Sequence, residues 1–324
     1  MVKKDLFPEK INKFYLEQKK TFSVFKENYY FLKNNLKTKA FDFPDFNLIL
    51  QFNPKRTFSA KAKVDKNSIA KRKCFLCKEN IFPDQKQLII YKDYVIQCNP
   101  FPIFEKHFTI VNKKHVLQAI FNNFIDLLNI SEKLKDRHFV FYNGPETGAS
   151  APDHLHFQAA KVKSLPIESE YQKIKEKNGQ IVFENKTIKI FAIKNYLRNF
   201  IAIEGKNKKE INEYFKIIYN SLAEVFKTKN EPKLNIICFN KKGAVTVFIF
   251  PRITHRPDFY YFTGKKQILL SPGTTDMGGL LLAVREEDFE KITRENLIDL
   301  YRQVCISDAD FDNVVFLLKE KLKK

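Results

Sequence analysis

No tryptophan occurs among the 324 residues, and no apolar run approaches the roughly 18 residues that a membrane-crossing helix needs. The opening residues, Met-Val-Lys-Lys-Asp-Leu-Phe-Pro, contain no apolar core of a secretory signal. These absences lead to the expectation of a cytoplasmic protein with no membrane partner. Arginine-rich blocks are missing too. A net charge of +20 would otherwise suit a nucleic acid, but the lysines are spread along the whole chain. That spread disfavours a nucleic-acid partner and favours a small polyanionic substrate. The 33 phenylalanines, with abundant Lys, Asn and Ile, fit a coding bias rather than selection for a ligand.

Five cysteines, an odd number in a chain without a signal, argue against a disulfide framework. Cys98, Cys238 and Cys305 lie among apolar residues and read as small buried hydrophobes. Cys74 and Cys77 differ, because the two-residue spacing of Cys74-Phe75-Leu76-Cys77 lets both thiolates reach one metal. Redox pairs share that spacing, although no thioredoxin-like context surrounds this one.

With 44% hydrophobic and 29% charged residues the composition is that of an ordinary globular chain, long enough for one large core or two of about 150 residues each. Residues 8–37 carry Phe14, Phe22, Phe25 and Leu32 at helical spacing and predict an N-terminal helical segment over 1–40. Strands are expected at 46–52, 88–97, 107–111 and 139–142, with a helix over 116–135. After residue 161 the pattern partly repeats. Strands at 180–184, 187–193 and 200–204 precede a long helix at 207–227, and strands at 234–239 and 244–250 follow. His107 reads as a plain strand residue.

The rest is organised around Asn143-Gly-Pro-Glu-Thr-Gly-Ala-Ser-Ala-Pro-Asp-His-Leu-His-Phe-Gln158, a loop that runs into a strand. Strand side chains alternate, so His154, His156 and Gln158 share one face while Leu155 and Phe157 enter a core. Two of six histidines on one face, after a loop able to hold anions, point to a functional site.

This His-x-His-x-Gln after a Gly-x-Ser loop resembles the nucleotidyltransferase branch of the histidine-triad superfamily. That branch includes galactose-1-phosphate uridylyltransferase, dinucleoside tetraphosphate phosphorylases and the GDP-L-galactose phosphorylases, whose wording is most similar. Ser150 stands four residues before His154, one more than is usual there. The resemblance implies an α+β fold of duplicated histidine-triad-like antiparallel sheets with packed helices, a pseudo-dimer in one chain. The expected halves are 41–165, with metal and nucleophile, and 166–324, completing the substrate site.

It further implies that His156 attacks an α-phosphorus to give a nucleotidyl-histidine, and that Gln158 neutralises non-bridging oxygens. A structural zinc on Cys74, Cys77, His115 and His154 is implied in the same way. Gln51-Phe-Asn-Pro-Lys-Arg56 resembles a phosphate- or base-contacting element, which makes Asn53 and Arg56 substrate-binding candidates; Arg56 reads equally as a surface charge. Gly148 and Ser150 offer amides. Arg252 and Arg256 in Pro251-Arg-Ile-Thr-His-Arg-Pro257 are further ligand candidates. The loop 271–279 is either a connector or a phosphate contact.

The expected function is transfer of a nucleoside monophosphate from an NDP-sugar or dinucleoside polyphosphate to phosphate or a sugar phosphate, by a monomer or homodimer. The alternatives are a histidine-triad hydrolase and a non-catalytic zinc-dependent nucleotide- or nucleic-acid-binding protein.

Overall fold

The computed structural model describes residues 7–323, so the expected reading of the first six residues lies outside the described residues. Amphipathic α1 (Phe7–Thr21) and α2 (Ser23–Asn34) are followed by β1 (Lys37–Asp42) and β2 (Asn47–Phe52). Short helices α3 (Thr57–Ala60) and α4 (Lys66–Ala70) lead to β3 (Leu88–Tyr91), β4 (Tyr94–Cys98) and β5 (Phe108–Asn112). Then come α5 (Phe124–Lys133), β6 (His138–Asn143) and β7 (His156–Lys161). The second half holds α6 (Pro166–Asn178), β8 (Gly179–Glu184), β9 (Ile188–Ile193), β10 (Phe200–Gly205), α7 (Lys208–Val225), β11 (Leu234–Lys241) and β12 (Ala244–Pro251). It ends with α8 (Thr274–Met277), β13 (Leu280–Ala283), α9 (Glu286–Lys291), α10 (Arg294–Val304) and α11 (Asp308–Leu322).

Ten strands form one antiparallel sheet in the order β3-β4-β5-β7-β6-β11-β12-β10-β9-β8. The first five, taken in chain order as a to e, run a-b-c-e-d, and the second five run d-e-c-b-a. This palindrome is a duplicated five-strand unit joined edge to edge by pairing of β6 with β11, where Asn143 faces Asn235. Each unit inserts a helix between its third and fourth strands, α5 and α7, and these meet through stacked Phe124 and Phe215 rings 3.7 Å apart. The α+β fold with duplicated histidine-triad-like sheets and packed helices is thus present. A separate sheet, β1-β2-β13, has one parallel pair.

Alternation along the strands builds two cores. On β6, Val140 and Tyr142 face the core beneath α1, α5, α7 and α11, whereas Phe139 and Phe141 face the core shared with α6, α10 and the small sheet. The N-terminal helices seal the first core, with Tyr15 edge-on to Phe108. Among the described residues no helix is long and apolar enough to cross a membrane.

Two local expectations change. The run 88–97 is two strands, because Lys92-Asp93 turns the chain, with Lys92 at a φ of 43°. The helix expected from 116 begins at Phe124, because backbone groups of the preceding segment are taken by the loop before β7: Leu155 N–H donates to Val116 O at 2.7 Å and Gln118 N–H to Pro152 O at 3.1 Å.

Candidate active site and metal cluster

Cys74, Cys77, His115 and His154 bring one ligand atom each to within 4.8 Å of one another. His154 Nδ1 lies 3.3 Å from Cys74 Sγ and 3.5 Å from Cys77 Sγ, and His115 Nδ1 lies 3.2 Å from Cys77 Sγ. A tetrahedral ion with metal–sulfur and metal–nitrogen bonds of the usual zinc lengths requires S···N edges of about 3.5 Å, so the donor set fits such a metal. The other ring nitrogen of His154 is held as a metal-bound histidine requires. His154 Nε2 donates to Asn112 O at 2.7 Å, and His115 Nε2 stands 3.8 Å from Asp153 Oδ2, itself paired with Arg72. His154 precedes β7 rather than lying within it.

At the first position of β7, His156 is buried, with Nδ1 2.8 Å from His154 O. A carbonyl only accepts, so Nδ1 carries the proton and Nε2 keeps a free lone pair. Burial lowers the imidazole pKa to about 4, overriding its backbone hydrogen bond. The neighbouring backbone is clamped by Gln118. Its Oε1 accepts from His156 N–H at 2.8 Å, and its Nε2 donates to His156 O at 3.1 Å and Asn143 O at 2.9 Å.

Gln158 is the next residue on that strand face, and His107 holds it. Far from a plain strand residue, His107 is fully buried; its Nδ1 accepts from Ile103 N–H at 3.1 Å and its Nε2 lies 2.8 Å from Gln158 Oε1. The backbone donor at Nδ1 sets the tautomer, so Nε2–H donates to Gln158 Oε1 and the Gln158 amide nitrogen is left to donate outward. Burial, reinforced by Arg56, lowers the His107 pKa to about 3 and keeps it neutral.

Two cavities meet here. One of about 390 Å³ has Phe75, Phe82 and Phe101 among its walls and Gln97, Asn99 and Thr109 as polar groups, and it reaches His156 and Gln158. A second, smaller one opens between the loop 144–155 and the second half, with Arg256, His255 and Asp276 in its wall. Arg56, Ser150 and Gln158 line both. Arg56 Nη1 donates to Phe101 O at 2.9 Å while its buried Nε has no partner, and burial lowers its pKa to about 10. Gly148, at a φ of +108°, and Ser150 line the smaller cavity, and their amides make no hydrogen bond among the described residues.

A polar hub holds this loop to the second half. Asn143 Oδ1 accepts from Thr274 N–H at 2.8 Å, and Asn235 Nδ2 donates to Thr147 O at 2.8 Å. Asp276 accepts from Gly273 N–H at 2.9 Å, and burial raises its pKa to about 6. Arg256 reaches Ser271 Oγ at 2.9 Å and the carbonyls of Ala60 and Ala62.

Two expected substrate contacts do not face either cavity. Arg252 gives five hydrogen bonds to Val304, Asn235, Pro272, Thr254 and His255, and so braces the second-half loops. Asn53 is buried and donates to Pro102 O at 3.1 Å. The stretch 271–279 proves to contain α8 and to form part of the smaller cavity. Sequence reasoning passed over Gln118, Asn143, Thr274 and Asp276, whose importance lies in contacts far along the chain.

Residues 14–161 match a family described as Domain of unknown function (DUF4922), and residues 172–324 match GDPGP1-like, C-terminal domain. Among solved structures, yeast Ap4A phosphorylase Apa2 in complex with AMP aligns over 92% of this chain and 95% of its own, at 16% identity and a TM-score of 0.57. The same enzyme in a structure described without AMP aligns over 88% and 96%, at 15% identity and the same TM-score. The chain has a histidine-triad-like fold. No curated protein matches its sequence. In this histidine-triad-like chain the cluster of two cysteines and two histidines and the buried His156 lie at the start of β7, and residues of the second unit close the smaller cavity from across the β6–β11 seam.

Proposed function

We propose that the protein is a nucleotidyltransferase or phosphorylase. In this reading it moves a nucleoside monophosphate from an NDP-sugar or dinucleoside polyphosphate to phosphate or a sugar phosphate. The observation that carries the reading is His156: its Nδ1 proton is tied to a carbonyl, its Nε2 is free, and Gln158, Arg56 and Ser150 share the cavity it reaches. The likeness of fold to a yeast Ap4A phosphorylase supports it.

In the first step the Nε2 lone pair attacks the α-phosphorus. The bond from phosphorus to the leaving phosphate oxygen breaks, and its electron pair stays on that oxygen. The Gln158 amide, held by His107, and the amides of Gly148 and Ser150 donate to the non-bridging oxygens, with Arg56 and Arg256 supplying positive charge. An oxygen of the acceptor phosphate then attacks phosphorus, and the P–N bond breaks to restore His156. The larger cavity lies in the size range of ligand pockets and suits the nucleoside. Zinc on Cys74, Cys77, His115 and His154 would supply structural fixation. Asn112, Gln118 and Asp153 then keep His154 and the His156 backbone in place. The same proposal takes 41–165 as the catalytic unit, 166–324 as the completing unit, and a monomer or homodimer in the cytoplasm as the working form.

A hydrolase is disfavoured because Gln158 stands where a proton-relaying histidine would be, and an amide does not titrate near neutral pH. Intact-protein mass spectrometry after exposure to NDP-sugars and dinucleoside polyphosphates tests the reading. A nucleotidyl adduct is expected on the wild type and not on His156→Ala. Turnover should rise with phosphate and yield a nucleoside diphosphate; full activity in His156→Ala, or monophosphate alone without phosphate dependence, defeats the proposal.

A further inference from the structure

At the far end of β7 from His156, a separate cavity of about 210 Å³ lies beneath α1. Five residues of strand rise put roughly 17 Å between the two ends. Lys106, Arg137, His138 and Lys161 line it from three segments, the turn before β5, the turn after α5 and the end of β7. His138 and Lys161 are direct partners in the β6–β7 pairing.

His138 is 6% exposed, lines the cavity, and has no hydrogen-bond partner at either ring nitrogen. Its ring packs edge-on against Phe108 at 5.5 Å between centroids. Each neutral imidazole has one donor and one acceptor, and leaving both unpaired away from water is unfavourable. The Arg137 guanidinium makes no ion pair or hydrogen bond among the described residues. Lys106 Nζ donates only to neutral Asn12 Oδ1 at 3.0 Å, and Lys161 has one exposed, 3.4 Å contact with Glu105. The one carboxylate in the wall, Asp136, accepts from Lys242 N–H at 2.8 Å. Three cations and an unpaired buried ring therefore converge on a cavity whose wall holds one carboxylate, Asp136, so positive charge is in excess there. Burial and then Lys106, Arg137 and Lys161 lower the His138 pKa to about 4, in line with such surroundings.

We propose that this cavity is a second anion site, separate from the active site, which takes a phosphate group. One phosphate oxygen accepts from His138 N–H, and the others meet Arg137, Lys106 and Lys161. The phosphate is free or belongs to a small phosphate monoester.

Crystals of the full chain soaked in selenate, an anomalous-scattering phosphate mimic, locate the site directly. A peak between His138 and Arg137 is expected, and it should vanish in the Arg137→Ala, Lys161→Ala double variant while any peak at His156 stays. Displacement by inorganic phosphate assigns the free ion, and displacement by glycerol 3-phosphate alone assigns a monoester. In solution, phosphate should raise the melting temperature less in His138→Phe, which keeps the ring packing, than in the wild type. No selenate in the cavity, or an equal rise in wild type and both variants, overturns the proposal.

Discussion

Glu231→Gln should make the protein more stable at alkaline pH and leave it unchanged at acid pH. Glu231 sits just before β11, where its Oε1 accepts from Tyr142 Oη at 2.7 Å and its Oε2 from Ile120 N–H at 2.6 Å. Burial outweighs both bonds and pushes its pKa from 4.5 up to about 7. A carboxyl whose folded pKa is raised holds its proton more tightly when folded. Its stabilising contribution is complete below pH 4.5, the unfolded value, and is lost as pH rises through 7. That interval corresponds to roughly 3 kcal/mol at about 1.4 kcal/mol per pH unit. Glutamine has no proton to lose. Its amide nitrogen can donate to Tyr142 Oη while its Oε1 keeps the Ile120 N–H. Urea unfolding of both proteins at about pH 4.5, 6 and 8 gives the difference curve, in which other titrating groups cancel. The variant should gain up to roughly 3 kcal/mol between the ends of that range. A difference that stays constant with pH would show that folding does not raise the Glu231 pKa and that the reasoning is wrong.

Removing the metal, by chelation or by Cys74→Ser, should lower the melting temperature as well as activity, because metal binding at such a site is folding free energy. Elemental analysis of protein purified without added metal checks it; absent metal and an unchanged melting temperature would reduce the pair to buried thiols. His107→Phe leaves Ile103 N–H unpaired and Gln158 unheld, so we expect a stability loss of about 1–3 kcal/mol. Its turnover should fall at least tenfold with a smaller change in KM, read by steady-state kinetics. Gly148→Ala places a Cβ 2.9 Å from Gly273 Cα at a φ of +108°. It should cost at least about 1 kcal/mol in denaturation and reduce activity further by shifting the loop.

The sequence carries most clearly what is local and periodic. The alternation at His154, His156 and Gln158, and the spacing of Cys74 and Cys77, identify side chains that the fold brings together. The duplicated strand pattern was legible because each strand alternates against one core. Positions 116–123 misled for a physical reason: their apolar spacing suits a helix, yet their backbone pairs with 152–155 and Gln118 serves His156 from 38 residues away. His107 and Arg252 stand in surroundings that their sequence context does not announce. A histidine in an apolar strand signals nothing until Gln158 is seen above it, and an arginine beside a proline-flanked loop looks available until its five acceptors are counted.

Duplication without a second His-x-His-x-Gln follows from one connection. In the first unit the fourth and fifth strands, β6 and β7, are joined by residues 144–155, which carry Gly148 and Ser150 of the cavity wall and His154 of the cluster of two cysteines and two histidines. In the second unit the same two strands, β11 and β12, are joined by Lys242-Gly243 alone, with Lys241 paired to Ala244. In that turn the Lys242 amide is taken by Asp136, and the strand that follows starts with Ala244 and has Thr246 two residues on, where β7 has His156 and Gln158. The other end of that hairpin is the useful one. Because Asn235 at the start of β11 faces Asn143 at the end of β6, the chain leaving β12 emerges beside the loop of the first unit. Arg256, Thr274 and Asp276 enter the site from there. The second unit therefore acts on the first by completing the smaller cavity across the seam. A chain cut at the seam should lose that cavity even if each unit folded.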